Sequence, residues 1–134
     1  MNQQASASAV HRQTVAVLGA SRDPRKYGYK SVLAHQRHGY DVFPINPSAQ
    51  TIADLKAYSS LVDVPVNAID RITVYLPPEV GIGLLEEIAA KSPREVWLNP
   101  GSESPALLAR AEELGLPVIA ACSLIDLEAR TNDA

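Results

Sequence analysis

Thr14-Val15-Ala16-Val17-Leu18 is rich in β-branched residues, carries no charge and stops at Gly19. A strand with one wet face alternates apolar and polar residues, whereas a continuously apolar run must be covered on both faces, as in a parallel sheet between two helix layers. Comparable runs return at Val42-Phe43-Pro44-Ile45, Ile72-Thr73-Val74-Tyr75-Leu76, Glu95-Val96-Trp97-Leu98-Asn99 and Val118-Ile119-Ala120-Ala121. Between them the period lengthens. Tyr29, Val32 and Leu33 fall at helical spacing from about Gly28 until Gly39. Val80, Leu84, Leu85 and Ile88 do so after Pro77-Pro78-Glu79, and Leu107, Leu108, Ala111 and Leu114 after Ser104-Pro105, ending at Gly115. Pro78 and Glu79 suit a first helical turn, where a missing N–H costs nothing and a carboxylate meets the positive dipole end. Pro44 belongs near the end of its strand or beside a bulge. The stretch from Ser48 to Asn67 mixes signals for a short strand near Ala57 and Tyr58 and a helical turn near Leu61. Strands alternating with helices imply right-handed βαβ crossovers and a doubly wound, mostly parallel α/β sheet in a single domain.

That domain is expected to run over residues 13–127, with a polar, small-residue tail at 1–12 and a C-terminal tail at 128–134. Twelve basic against fifteen acidic side chains leave a formal charge of -3. Without a cationic surplus to neutralise a phosphate backbone, nucleic-acid binding is disfavoured. No apolar run approaches membrane-spanning length, and the first residues lack the apolar core of a signal peptide. The single cysteine, Cys122, forms no internal disulfide, which suits a reducing cytoplasm.

In such Rossmann-type sheets ligands lie beyond the carboxyl ends of the strands, at the point where strand order reverses. Four loops qualify: Gly19-Ala20-Ser21-Arg22, Asn46-Pro47-Ser48, Pro77-Pro78 and Asn99-Pro100-Gly101. Gly19 lets backbone amides approach an anion, and the helix that follows offers unpaired N–H groups. Ser21 adds a hydroxyl donor. Arg22, Arg25 and Lys26 form a local basic cluster in an acidic chain, which fits several phosphates better than one carboxylate. Tyr27 or Tyr29 is placed to pack on a base. The segment GASRDPRKYG lacks the G-x-G-x-x-G spacing of a dinucleotide site, and the second strand ends in Ile45-Asn46-Pro47 without the acid that binds a ribose diol. Asp41 stands about twenty residues beyond the glycine, but at the far end of its strand. NAD is therefore the alternative ligand.

Other reactive residues read as structural. His35 and His38 lie three apart on the first helix with no acid or cysteine to complete a metal site, and are expected to be solvated. Cys122 is expected to be a small buried residue, and Trp97 to belong to the core. Glu86-Glu87 and Glu112-Glu113 are consecutive on helices, so neither pair converges on one face. Ser21 lacks the G-x-S-x-G context of a nucleophile.

The segments VAVLGASRDPRKYGYKS, DVFPINPS, ITVYLPPEV, EVWLNPGSES and VIAACS resemble, in order and over about residues 14–123, the stand-alone bacterial CoA-binding proteins. These in turn are similar to the CoA-binding N-terminal domain of the succinyl-CoA synthetase α subunit. The resemblance implies coenzyme A, or an acyl-CoA, lying across the strand ends. Gly19, Ala20, Ser21 and Arg22 would follow its phosphates, Asn46 and Pro47 would flank the nucleotide, and Leu76, Pro77 and Pro78 would line the wall. The family often places a lysine after the Asn-Pro pair. Here Ser48 stands there, followed by Ala49-Gln50, which leaves Arg25 and Lys26 to supply the charge. The synthetase's phosphoryl-carrying histidine lies in another domain, so the resemblance implies binding without covalent chemistry. The alternatives are an NAD(P)-binding oxidoreductase or sensor, and an acyl-CoA ligase subunit that depends on a partner chain.

Overall fold

The computed structural model describes residues 12–133, so the expected tail at 1–12 lies, save Arg12, outside the described residues. In chain order the elements are β1 (Thr14–Leu18), α1 (Tyr27–Arg37), β2 (Asp41–Ile45), β3 (Thr51–Ile52), β4 (Leu55–Lys56), a 3-10 turn (Leu61–Asp63) and β5 (Arg71–Val74). There follow α2 (Pro78–Gly81), a second 3-10 turn (Ile82–Leu84), α3 (Leu85–Ala90), β6 (Glu95–Leu98), α4 (Pro105–Glu113), β7 (Val118–Ile119) and α5 (Ser123–Asp133). Five strands form one sheet in the order β2-β1-β5-β6-β7, and every pair in it is parallel. This is the doubly wound α/β sheet that the apolar runs predict.

β1 shows why those runs carry no polar positions. Val15 and Val17 pack towards α1 and α5, while Ala16 and Leu18 join Ile72, Val74, Leu85, Ile88 and Leu107 on the opposite face. Val15, Ala16 and Val17 are wholly buried, each valine contributing roughly 1.5–3 kcal/mol of transfer free energy. The chain passes from β1 outward to β2 and later returns to β5 on the other side of β1. The reversal of strand order therefore falls between the carboxyl ends of β1 and β5.

Pro44 sits on an edge strand, where its missing N–H interrupts no second ladder, and its carbonyl accepts from the Tyr58 N–H at 2.9 Å. The mixed segment resolves into the antiparallel β3-β4 hairpin, a bridge between Ile45 and Tyr58, and the turn at Leu61. The helical period after Pro78 is broken by the turn at Ile82–Leu84, which follows Gly81 and contains Gly83. Leu85 and Ile88 enter the core, whereas Val80 stays exposed.

Two expectations are corrected. Residues 128–133 are not a tail but the second half of α5, whose Leu127 is fully buried against Val15, Ala34 and Tyr40. His35 is not solvated; it is completely buried. One residue accounts for both. Arg71 on β5 is 1% exposed, and a buried guanidinium demands partners. Its Nε donates to Glu95 Oε1 at 3.0 Å and its Nη2 to Asp126 Oδ2 on α5 at 2.8 Å. The guanidinium also lies over Trp97 and Tyr40, at 4.9 and 5.5 Å from the ring centroids. On α1, His35 Nδ1 lies 2.9 Å from the Ser31 carbonyl, which can only accept, so Nδ1 carries the proton. Nε2 is then bare and accepts from Arg71 Nη1 at 3.3 Å. Glu95, Asp126 and His35 are thus the partners of an internal cation.

Burial, above all, pushes the His35 imidazole down to about 4 from an ordinary 6.5. Between those values the unfolded chain binds a proton that the native state refuses. The stabilisation is complete above about pH 6.5 and is lost as pH falls towards 4. From this group alone, urea denaturation at pH 7 and pH 5 should differ by about 2 kcal/mol, and His35→Gln should flatten that difference. Equal pH slopes in the two proteins would refute the assignment.

Candidate functional site

β1 ends at Gly19, whose φ of +87° turns the chain sharply out of the sheet. A Cβ there would meet the Tyr75 carbonyl oxygen at 2.7 Å, so the turn lies directly against the end of β5. Gly28, in the first turn of α1, is packed against the Gly19 carbonyl so tightly that a side chain has no room. Two glycines nine residues apart thus bring the N-terminus of α1 onto the first loop. That arrangement puts Tyr27 and Gly28 of the first turn, where a helix leaves N–H groups without intrahelical partners, at the cleft.

Within the loop, Ser21 Oγ accepts from the Asp23 N–H at 3.0 Å. Asp23 is clasped by Arg25, whose Nε and Nη2 donate to the two carboxylate oxygens at 3.0 and 2.9 Å. The Arg25 hydrogen bonds hold the Asp23 carboxyl below its usual range and raise the guanidinium in turn. Lys26 occupies the N-cap position of α1 without a side-chain cap bond, and its side chain reaches the cleft. The second loop is fastened to the first by Asn46, whose Nδ2 donates to the Ala20 carbonyl at 2.9 Å.

The third and fourth loops are held by Asn99, which is 2% exposed. Its Nδ2 donates to Thr73 Oγ1 at 2.7 Å and to the Val74 carbonyl at 2.8 Å. Its Oδ1 accepts from the Ser123 N–H at 2.9 Å and from Ser123 Oγ at 3.0 Å. Ser102 Oγ also donates to the Val74 carbonyl, at 3.1 Å. The ends of β5 and β6 and the start of α5 are joined in one buried polar network, fully paired and therefore rigid.

The loops enclose two adjoining cavities. The larger, about 650 Å³, is lined by Gly19, Ala20, Ser21, Lys26, Tyr27, Gly28, Asn46, Tyr75, Leu76, Pro77, Pro100, Gly101 and Ser102. The smaller, about 340 Å³, shares Gly19, Ala20, Asn46 and Leu76 with the larger and lies against Leu61, Val80 and Leu84, with Ser59, Ser60 and Glu87 at its wall. Residues 13–128 match the family model described as a CoA binding domain. The chain belongs to the CoA-binding domain family.

Relatives agree with that placement. An ADP-forming acetate–CoA ligase of Archaeoglobus fulgidus is 33% identical over 81 residues, 59% of this chain. The match spans only 12% of that ligase. The uncharacterized Bacillus subtilis protein YneT is 29% identical over 105 residues, covering 78% of this chain and 77% of its own length. A solved Thermus thermophilus structure, 32% identical, superposes with a TM-score of 0.79 over 97% of this chain and 98% of the other.

For this CoA-binding domain the loops read from sequence do converge, but not every named side chain reaches the cleft. Gly19, Ala20, Ser21, Lys26, Asn46, Leu76 and Pro77 line the larger cavity, and Pro47 the smaller. Arg22, Arg25 and Pro78 line neither: Arg22 is exposed, Arg25 is committed to Asp23, and Pro78 opens α2. Tyr27 is 64% exposed at the lip, while Tyr29 packs inward near Val17 and Val32. Cys122 is half-buried rather than buried. Asp41 lies at the opposite end of the sheet, 3.2 Å from Arg12 Nε. Gly28, Tyr75 and Ser102 were not legible as site residues, though a glycine in a helix's first turn was a signal for Gly28. Among the described residues, no three His, Cys, Asp or Glu gather as a metal site, and no helix is long and apolar enough to cross a membrane.

Gly28→Ala should cost about 1–3 kcal/mol in chemical denaturation, because the methyl must displace the Gly19 carbonyl. A variant as stable as the parent would show that α1 and the turn are not so tightly apposed.

Proposed function

We propose that this domain binds coenzyme A or an acyl-CoA without covalent chemistry of its own, the phosphates against the Gly19–Ser21 turn and Lys26. The observation that carries the reading is the convergence, at the point of strand-order reversal, of a glycine turn, a helix N-terminus and one basic side chain on a cavity of about 650 Å³. That volume suits a cofactor-sized ligand. The wall formed by Leu76 and Pro77 offers apolar packing for an extended chain. Membership of the CoA-binding domain family supports the same ligand.

The residues that line the larger cavity include Lys26, Tyr27 and Tyr75 but no carboxylate, histidine or cysteine, so neither a paired acid and base nor a thiol nucleophile supports covalent chemistry there. A second reading, a subunit of an acyl-CoA ligase whose catalysis is supplied by another chain, is favoured by the similarity to the Archaeoglobus ligase. Co-purification with an untagged partner would support it. NAD is the weaker alternative, since Ile45-Asn46-Pro47 offers no acid to a ribose diol.

Calorimetric titration with CoA, acetyl-CoA, NAD and NADP should show binding of the first two alone; stabilisation by NAD and not by CoA would overturn the reading. Lys26→Ala should weaken CoA at least ten-fold, as expected for loss of a charge-assisted contact, with unfolding unchanged because Lys26 is exposed and caps nothing. Unaltered affinity in that variant would place the phosphates elsewhere.

A further inference from the structure

In sheets of this topology the ribose of a bound nucleotide is read at the carboxyl end of the second strand, by an acid for a free diol or by a base for a ribose phosphate. Here that end is β2 and the loop that follows. From Ile45 to Leu55 the sequence contains no lysine or arginine, and its charged residue is Asp54. The next base, Lys56, leans over the Tyr58 ring at 5.1 Å and lines neither cavity.

The uncharged donors at the start of this loop, from Asn46 to Ala49, are already engaged. Asn46 Oδ1 accepts from the Ser48 N–H at 2.8 Å, from Ser48 Oγ at 3.1 Å and from the Ala49 N–H at 3.1 Å. The Asn46 N–H donates to the Tyr58 carbonyl at 2.9 Å, its Nδ2 donates to the Ala20 carbonyl, and Pro47 has no N–H. Donors that would otherwise cradle a phosphate turn inward onto one amide oxygen. The cation that does line the cleft, Lys26, belongs to the first loop and does not line the smaller cavity.

We propose that the site, taken as a CoA site on the reading above, does not recognise the ribose 3′-phosphate, so that CoA and 3′-dephospho-CoA are equivalent ligands. The diphosphate and the pantetheine arm carry the affinity, and specificity for the 3′-phosphate is missing because the start of the loop after β2 carries no base and its donors close on Asn46, Ala20 and Tyr58.

The test is calorimetric titration of the full chain with CoA and with 3′-dephospho-CoA at the same ionic strength. Affinities within five-fold of each other are expected. A loss of more than five-fold on removing the 3′-phosphate overturns the inference and leaves the CoA reading standing, since one charge-assisted phosphate contact is worth roughly ten-fold or more. Binding of neither ligand overturns both. Ser48→Lys, at an exposed position, should create a preference for CoA of more than five-fold without changing the affinity for 3′-dephospho-CoA. If that variant gains no preference, the 3′-phosphate does not face this loop and the inference fails.

Discussion

Gly28 packs on the Gly19 carbonyl and Gly19 on the Tyr75 carbonyl, two contacts that admit no side chain, and the geometry of the cleft follows from them. Because Gly28 has no Cβ, the first turn of α1 can rest on the β1 turn; because Gly19 adopts a positive φ, that turn can lie against the end of β5. The floor of the larger cavity is consequently backbone. Backbone donors hold their positions without any loss of rotamer entropy, which is what an anion-binding surface requires. Lys26 then adds charge at the rim from the residue that begins the helix.

The two ends of the sheet carry different kinds of polar chemistry. At the amino ends Arg71 is buried among Glu95, Asp126, His35, Tyr40 and Trp97, and it binds α1 and α5 to the strands. At the carboxyl ends Asn99, Thr73 and Ser123 form an uncharged network that fixes the loops around the cleft. α5 serves both ends, with Ser123 at one and Asp126 at the other. Docking of this last helix therefore rigidifies the cleft as well as covering the core.

Particular residues show how far the site could be read in advance. The loop that carries Gly19, Ala20 and Ser21 was legible because a continuously apolar strand ending in glycine has few other meanings. Which of Arg22, Arg25 and Lys26 faces the cleft was not, because all three are basic and adjacent, and the choice depends on Asp23 capturing Arg25. Asn99 was legible as a loop residue but not as a buried hub, since its partners lie 24 to 26 residues away in the chain. His35 was misread for the same reason: a polar residue on a helix looks solvated until an Arg on a central strand is known to face it.

The strand runs, the glycine stops and the helical periods determined the class of fold, the order of its elements and the loops that bear the cleft, because those depend on local period and on burial of both sheet faces. Residues 128–133 carried no such signal, since α5 is held by the buried Leu127 and by Ser123, Asp126 and Arg130, whose bonds to Asn99, Arg71 and Tyr40 join segments remote in the chain. The identities of the cleft-facing side chains, the commitment of Asn46 to its own loop and the buried state of His35 were decided only by tertiary structure. Each of these depends on a pairing between segments distant in sequence, and distance along the chain hides a pairing that a few ångströms in space makes obligatory.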